Sequence, residues 1–290
     1  MEHKKVEVRI VREDHQEFKI DGTYWKVLEL EGFGAFENDI STVDRAIGDG
    51  SIITSDRIAQ KDRTIVAKAL SRHLNDVLRR EVNSFFNAKM LYKVYITYMG
   101  ITRWGEGKIY KYHLPTGNVH HSLVLTLTFL FPNPYLRSYE DFGRDIASVT
   151  PMIGFPYLCN IDPGHVQGVT GGIYNFAKEV ILENDGDVET YCRAIFVAKG
   201  AVTNPSLIIR NDFVKVLDVM KVGDVIEMDF TKDPPTIKKN GVNCIGKCDR
   251  RSGFDAMSLG IGDTAIQYDA DDGTNLLQVS IYYNKLYTVI

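Results

Sequence analysis

The sequence predicts a mainly β protein made of two β-sandwich domains, the first of which carries one amphipathic helix. Short segments of alternating or β-branched residues recur along most of the 290 residues, as is typical of strands. Only one stretch has the apolar spacing of a helix. A chain of this length usually exceeds what a single hydrophobic core supports, so we expect two domains.

Residues 1–135 are predicted to form a unit of strands packed on the helix. Alternation and β-branched residues predict strands at 6–11, 24–30, 51–56, 64–70, 92–100, 108–114 and 121–131. In the last of these, Leu123, Leu125, Leu127 and Phe129 share one face. A turn is predicted at Trp104–Gly107, between the two preceding strands.

The hydrophobic period changes after Ser71. Apolar residues then recur in steps that place them on one helical face, namely Leu74, Val77, Leu78, Val82, Phe85 and Phe86. Ser71 has the side chain of an N-cap. The pattern predicts a helix over about residues 72–87.

The remainder divides into an irregular segment and a second β domain. Residues 136–170 are rich in proline and glycine, and we interpret them as a linker or an extended arm. Residues 171–290 contain short strands separated by turn signals such as NDGD, KNGVN and DADDGTN. This regular alternation predicts a β-sandwich without a helix.

Composition excludes several classes of protein. The chain is 44% hydrophobic and 25% charged, with a formal net charge of −4. These values are typical of a folded protein, and the negative charge argues against a surface that binds nucleic acid phosphates. The first residues lack a signal peptide, and the longest apolar run, 123–131, is too short to span a membrane. We therefore expect synthesis in the cytosol and no membrane insertion.

The stretch LENDGDVETYCRAIF, residues 182–196, holds the densest group of acids, Glu183, Asp185, Asp187 and Glu189. A calcium loop requires a glycine after its third ligand and a distant glutamate, whereas here Gly186 follows Asp185. The sequence Asn184-Asp185-Gly186 is a strong turn signal. We predict a hairpin end with solvated acids, and a metal site is the alternative.

Other candidate sites also lack the pattern that chemistry requires. Cys244 and Cys248 are the only close pair among four cysteines, and zinc would need two further ligands, so free thiols are predicted. Histidines 120 and 121 are adjacent on a predicted strand and point to opposite faces, and His113 is interpreted as a surface residue. Asp269, Asp271 and Asp272 mark a turn. We predict no catalytic residues, no cofactor and no metal ligands.

The order of turns and strand ends resembles the distal tail (Dit) proteins of siphophages over nearly the whole chain. In the C-terminal part the resemblance rests on NDGDVET, KGAVTNPSLIIRN, VGDVIEMDF, IKKNGVN, SLGIGDTAIQY and VSIYYNKLY. In the N-terminal part it rests on LEGFGAFENDI, SDRIAQKDRTIVAKAL, the amphipathic helix and LTFLFPNPYLR. The specific feature is the ordered set, since no single motif among these is decisive.

The resemblance implies a structural protein of the virion without enzymatic activity. Its N-terminal β-sandwich would form a homohexameric ring, and its C-terminal domain would be a galectin-like β-sandwich. The ring would be the hub of the phage baseplate, connecting the tail tube protein to the tail tip protein, and in some phages it carries receptor-binding proteins. DNA would only pass through, and assembly would take place in the host cytoplasm. A contractile-tailed phage or a tail-like bacteriocin stays open as the source.

The alternative function is a carbohydrate-binding adhesion module of a phage or prophage tail, because galectin-like folds can bind sugars. Galectins carry H-x-N-P-R, whereas residues 202–206 read VTNPS and lack both the histidine and the arginine. Trp104 lies in the other domain, and the C-terminal domain contains no tryptophan. Tyr268, Tyr282 and Tyr283 are the remaining aromatic candidates, although tyrosines on strands are more typical of cores and interfaces.

Overall fold

The computed structural model describes residues 6–116, 121–139, 142–151, 172–176 and 179–290. The chain divides into two compact units. Unit 1 comprises Met1–Tyr139 and Leu286–Ile290, and unit 2 comprises Glu140–Lys285. Both units are built mainly from strands, which confirms the predicted fold class.

The first part of unit 1 contains ten strands and, within the described residues, one α-helix. In chain order these are β1 (Glu7–Arg12), β2 (Glu17–Ile20), β3 (Trp25–Glu31), β4 (Asn38–Asp44), β5 (Ser51–Ile58), β6 (Lys61–Ala69), α1 (Asn75–Phe85), β7 (Tyr92–Tyr98), β8 (Ile101–His113), β9 (Val124–Phe131) and β10 (Leu136–Ser138). The large antiparallel sheet has the order β2-β1-β7-β8-β9-β6-β3, and β4 and β5 form a separate two-stranded sheet. Strand β8 pairs with β7 through its first half and with β9 through its second half.

The apolar face predicted for β9 is the centre of the unit 1 core. Leu125, Leu127 and Phe129 are all 0% exposed, and β9 lies between β8 and β6 in the sheet. Strict alternation in a central strand therefore identified the core face from sequence.

The turn predicted at Trp104–Gly107 is wrong, because these residues lie inside β8. The chain reverses earlier, at Met99-Gly100, where φ is +51° and +87°. Gly105 instead permits close packing, since a Cβ there would lie 2.5 Å from Cε1 of Phe131. A glycine within a strand often marks such a close approach, which sequence alone does not distinguish from a turn.

The predicted helix is confirmed, with two differences in detail. Residues Arg72–Leu74 form a 3-10 turn, and α1 follows from Asn75 to Phe85. Ser71 occupies the predicted N-cap position, before the 3-10 turn and with extended backbone angles, but its side chain makes no capping hydrogen bond. Leu78, Val82 and Phe85 are buried and attach the helix to the core of unit 1, whereas Leu74 and Val77, predicted on the same face, are exposed.

Replacing Leu78 by alanine is expected to lower the free energy of unfolding by about 2–5 kcal/mol, because this side chain is only 3% exposed. Arg79→Ala is the matched control. It removes one hydrogen bond, from the guanidinium to the Pro115 carbonyl at 2.5 Å, which should cost only about 0.5–1.5 kcal/mol. Urea denaturation measures both changes, and equal losses would show that the buried face is assigned wrongly.

Unit 2 contains fourteen strands in chain order: β11 (Phe142–Pro151), β12 (Gly172–Phe176), β13 (Glu179–Asn184), β14 (Thr190–Ala198), β15 (Val202–Thr203), β16 (Ser206–Ile209), β17 (Asp212–Lys215), β18 (Val219–Met220), β19 (Val225–Asp229), β20 (Thr236–Lys239), β21 (Val242–Asn243), β22 (Ser258–Leu259), β23 (Gly262–Asp269) and β24 (Leu277–Tyr283). One sheet has the order β12-β11-β24-β14-β19-β20-β21, and a second has the order β13-β23-β16-β17. Residues of both sheets share one buried cluster, so unit 2 is a β-sandwich, as predicted.

The segment 136–170, interpreted from sequence as a linker or arm, contains two strands. Strand β10 belongs to unit 1, and β11 pairs with β24 and β12 in unit 2. Residues 140–141 and 152–171 lie outside the described residues.

The last strand, β25 (Leu286–Tyr287), returns to unit 1. It pairs with β10, where Leu136 is opposite Tyr287. The Arg103 guanidinium lies 3.7 Å from the centre of the Tyr287 ring. The backbone N–H of Ile290 donates to the carbonyl of Phe33 at 2.9 Å. Along the chain, unit 2 therefore lies between two segments of unit 1.

Candidate assembly interface

Four strands of unit 1, in the order β8-β9-β6-β3, form a sheet segment with a free edge on each side. Within the described residues, β3 pairs along its length only with β6. In the part of the chain that the structure describes, residues 108–113 of β8 pair only with β9. Each edge therefore presents a row of backbone N–H and C=O groups that another strand could pair with.

The two free edges run in opposite directions. Each neighbouring pair in the segment is antiparallel, so three successive reversals leave β3 antiparallel to β8. If copies were repeated by rotation about an axis, β3 of one copy would meet β8 of the next as an antiparallel pair. This arrangement gives perpendicular hydrogen bonds between the strands, as in an ordinary antiparallel sheet.

The two edges differ in charge on the face turned away from the core, where β3 carries Lys26, Glu29 and Glu31, and β8 carries Lys108 and Lys111. One row across the sheet runs from Glu31 through Thr64 and Thr128 to Lys111. The two threonine hydroxyls in its middle are 3.0 Å apart. The row thus begins with an exposed carboxylate on β3 and ends with an exposed ammonium on β8.

The neighbouring row also begins with an exposed carboxylate on β3. Glu29 on β3 lies in the row that ends at His113 on β8, and Lys108 is a further exposed cation on β8. A β3 edge from one copy is therefore complementary in charge to a β8 edge from another, which favours correct pairing and register.

The hairpin formed by β4 and β5 is exposed along almost its whole length. Its large apolar side chains lie in solvent, with exposures of 51% for Ile40, 58% for Val43, 93% for Ile47, 56% for Ile52 and 61% for Ile53. A two-stranded hairpin is only marginally stable by itself in water, and clustered exposed apolar residues mark surfaces that contact other molecules.

The acidic stretch at 183–189 is a turn, but the predicted hairpin is wrong. Strand β13 pairs with β23, whereas β14 pairs with β19 and β24 in the other sheet. The turn therefore connects the two sheets of the sandwich. All four acids in it are exposed, and Asp185 forms an ion pair with Lys285 at 2.5 Å.

Asn184, rather than the acids, organises this turn. Its side chain is 0% exposed. The amide nitrogen donates to the carbonyls of Val188 at 3.0 Å and Leu259 at 3.3 Å. The amide oxygen accepts from the N–H of Gly186 at 3.1 Å. Local turn chemistry was recognisable from sequence, whereas the long-range contact to Leu259 was not.

The acids of this turn are expected to be chemically inert. Changing Asp185 and Asp187 to asparagine together should alter the free energy of unfolding by less than about 1 kcal/mol, as for exposed ion pairs and surface substitutions. Calcium should leave the melting temperature of the wild-type protein unchanged, because a ligand that binds only the folded state must raise it. A calcium-dependent rise that disappears in the double variant would contradict this interpretation.

The other acids and histidines considered from sequence do not converge. Asp271 bonds to Lys215 and, at 2.8 Å, to Asn204, and these bonds lower the pKa of its carboxyl. His113 lies on β8, His121 is exposed outside any strand, and residue 120 lies outside the described residues. Across the described part of the chain, no three His, Cys, Asp or Glu residues are placed to hold a metal ion.

The described cysteines are free thiols, as predicted. Burial raises the pKa of the Cys192 thiol to about 12 and that of Cys248 to about 11, so both stay protonated and unreactive at neutral pH. Cys244 is also buried, and Cys159 lies outside the described residues.

The tyrosines considered as sugar contacts in unit 2 do not form an aromatic surface. Tyr268 is 1% exposed and Tyr283 is 6% exposed, both within the core. Tyr282 is half-buried, and the Arg193 guanidinium lies 5.3 Å from the centre of its ring.

Comparison with solved structures identifies the fold over nearly the whole chain. The SPP1 Dit protein, described as a paradigm of the hub adsorption apparatus in phages that infect Gram-positive bacteria, is 12% identical with a TM-score of 0.64, covering 96% of this chain and 98% of that one. A chain of the phage P2 baseplate, in its activated conformation with calcium, is 10% identical with a TM-score of 0.58, covering 98% and 99%. The strontium form of that baseplate gives 11% identity and a TM-score of 0.57, with the same coverage.

At the level of sequence, neither a family model nor a curated protein matches. None of the helices among the described residues has the length and apolarity needed to cross a membrane. The chain therefore has the fold of the phage Dit and baseplate proteins, at a level of sequence identity that shows the fold alone.

Proposed function

We propose that this protein is a structural component of a phage tail whose unit 1 assembles into a closed homohexameric ring at the hub of the baseplate. The observation that carries the proposal is the sheet segment β8-β9-β6-β3, whose two free edges are antiparallel and carry Glu29 and Glu31 on β3 and Lys108 and Lys111 on β8. Contacts between two different edges are heterologous, and they end in a ring when the rotation closes. The fold shared with phage hub proteins supports the same assembly.

The outer face of the same sheet segment would line the channel of the ring. Each copy would contribute the half-buried Thr64 and Thr126 together with charges of both signs, including Glu31 and Lys111. A mixed, hydroxyl-rich wall holds DNA weakly, because strong binding to phosphates needs a surplus of cations. DNA would pass through this channel without being retained.

The remaining surfaces would hold the other parts of the tail. The exposed apolar side chains of the β4–β5 hairpin, of which Ile47 is the most exposed, suit contacts with a neighbouring copy or an adjoining ring. The tail tube protein and the tail tip protein would bind on opposite sides of the ring, and receptor-binding proteins would attach at its rim. The protein would act in the virion after assembly in the host cytoplasm, and it would catalyse no reaction.

Light scattering combined with negative-stain imaging of the purified protein tests the proposal. We expect a mass that is a multiple of six chains, and end-on views with a central channel. The contact between β3 of one copy and β8 of the next is called the seam. Assembly is also expected to depend on concentration, since each seam contributes only a few hydrogen bonds and ion pairs. A species that stays monomeric at all concentrations and salt levels, alone and with tail partners, would contradict the ring.

A further inference from the structure

A second surface of unit 1 carries a continuous ladder of cations and aromatic rings. One row across the sheet runs Lys19, Arg9, Tyr95, Trp104 and Arg137. The Arg9 guanidinium lies 4.3 Å from the Tyr95 ring centre, and the Tyr95 and Trp104 rings are stacked at 5.7 Å. Arg137 lies 5.0 Å from the Trp104 ring centre. These contacts hold the side chains in fixed positions.

A cleft of about 390 Å³ lies beside this ladder. Its volume is in the range of small-molecule sites. Its wall combines two aromatic rings, two carboxylates, two cations and a pair of hydroxyls, and it includes Tyr139, Glu7, Asp21, Arg9, Lys19 and Thr97. The cleft therefore offers aromatic surface together with several polar groups.

Tyr139 presents a fixed aromatic surface to solvent. Its ring meets the Tyr95 ring edge to face, with centres 6.0 Å apart. At the same time 56% of the residue stays exposed. A large tyrosine ring that is held in place yet uncovered provides stacking area at little cost in conformational entropy.

The polar groups of the cleft keep hydrogen-bonding capacity. Among the described residues, the carboxylate of Glu7 has no ion-pair or hydrogen-bond partner, and Arg9 donates only one hydrogen bond, to Glu17 at 3.2 Å. Asp21 accepts the backbone N–H of Thr23 at 2.9 Å, which lowers the pKa of its carboxyl and keeps it ionised at neutral pH. Carboxylate and guanidinium groups of this kind bind paired hydroxyls.

We propose that this cleft binds a pyranose unit of an oligosaccharide. A pyranose ring has an apolar C–H face that stacks on an aromatic ring such as Tyr139, and its neighbouring hydroxyls suit Glu7, Asp21 and Arg9. The two carboxylates of the cleft balance Arg9 and Lys19 in charge, which favours a polyhydroxylated ligand over a free phosphate or a cation.

The proposal is independent of ring assembly. No residue named in the cleft lies on β3 or on residues 108–113 of β8, the two edges assigned to subunit contacts. A variant can therefore lose sugar binding without losing ring assembly. The mass of each variant in solution shows whether the ring still forms.

An array of neutral, N-acetylated and uronic-acid oligosaccharides tests the proposal, followed by fluorescence titration with the strongest glycan. Tyr139→Ala and Glu7→Ala should each weaken binding at least about tenfold, equivalent to about 1.4 kcal/mol. Tyr24→Ala is the matched control, since Tyr24 is 57% exposed in unit 1 and lies outside the cleft. It should leave the affinity unchanged.

Two outcomes would overturn the proposal. One is an array without binding up to millimolar glycan, and the other is binding that survives both cleft variants. If the array is blank and Tyr139→Ala instead prevents incorporation of the protein into tails, the surface is a protein contact and the carbohydrate site does not exist.

Discussion

Reversing the charges on the β3 edge, with Glu29→Lys and Glu31→Lys, is expected to convert rings into monomers. In the proposed ring these carboxylates meet Lys108 and Lys111 of the next copy, so the double variant places like charges across every seam. Like charges that face each other across an interface cost several kcal/mol, and each 1.4 kcal/mol raises a dissociation constant about tenfold. Light scattering at matched concentration measures the loss.

Complementary variants make this test specific. Lys108→Glu with Lys111→Glu should also be monomeric, because it places carboxylates opposite Glu29 and Glu31. Mixing the two monomeric variants should restore rings, since every seam in an alternating ring then joins opposite charges. Restoration after mixing would be hard to explain by misfolding.

A control variant separates the seam from a general effect of charge. Glu179→Lys with Glu183→Lys changes the net charge equally on an exposed strand of unit 2, and rings should persist. If this control also dissociates, or if mixing fails although both variants melt like the wild type, the assignment of the seam is wrong.

Replacing Asn184 by alanine is expected to lower the free energy of unfolding by about 2–4 kcal/mol. The change removes all three hydrogen bonds of a side chain that is 0% exposed. It leaves the carbonyls of Val188 and Leu259 without this donor, and a buried carbonyl that loses its partner is costly. Chemical denaturation followed by circular dichroism measures the change.

An exposed asparagine in another turn of unit 2 provides the control. Asn211→Ala should change stability by no more than about 0.5 kcal/mol, as for an ordinary surface position. Asn184→Asp gives a second test, because a buried carboxyl without a cation has a raised pKa. Its folded-state pKa then exceeds the unfolded value, so this variant should be least destabilised relative to wild type at low pH and lose stability as pH rises. Similar losses from Asn184→Ala and Asn211→Ala would contradict the central role of Asn184.

Sequence patterns predicted the parts of the fold that are specified locally. The alternation through Leu125 and Leu127 identified a core strand, and the spacing of Leu78, Val82 and Phe85 identified the helix face. Strand β4 was missed because its sequence, NDISTVD, contains Asn and Asp, which are depleted in strands.

The candidate interface could not be predicted from sequence, because whether a strand lies at the edge of a sheet depends on which other strands pair beside it. Glu31 and Lys111 are distant in the chain and look like ordinary surface charges. Their importance appears only when the order β8-β9-β6-β3 places them at opposite ends of one row. The cleft is non-local for the same reason, since Glu7, Thr97 and Tyr139 come from separate segments.

The return of β25 to β10 makes unit 2, in topological terms, the loop of a β-hairpin. The chain leaves unit 1 after Tyr139 and re-enters at Leu286, and the strands on either side of this excursion are hydrogen-bonded to each other. The entropy of closing a loop grows only slowly with its length, so such a connection tolerates inserts of very different size. A short turn joining these two points would preserve the hairpin, and another domain could be grafted there. The position is thus a natural exchange point, at which proteins of this fold could acquire or lose a whole module while keeping unit 1.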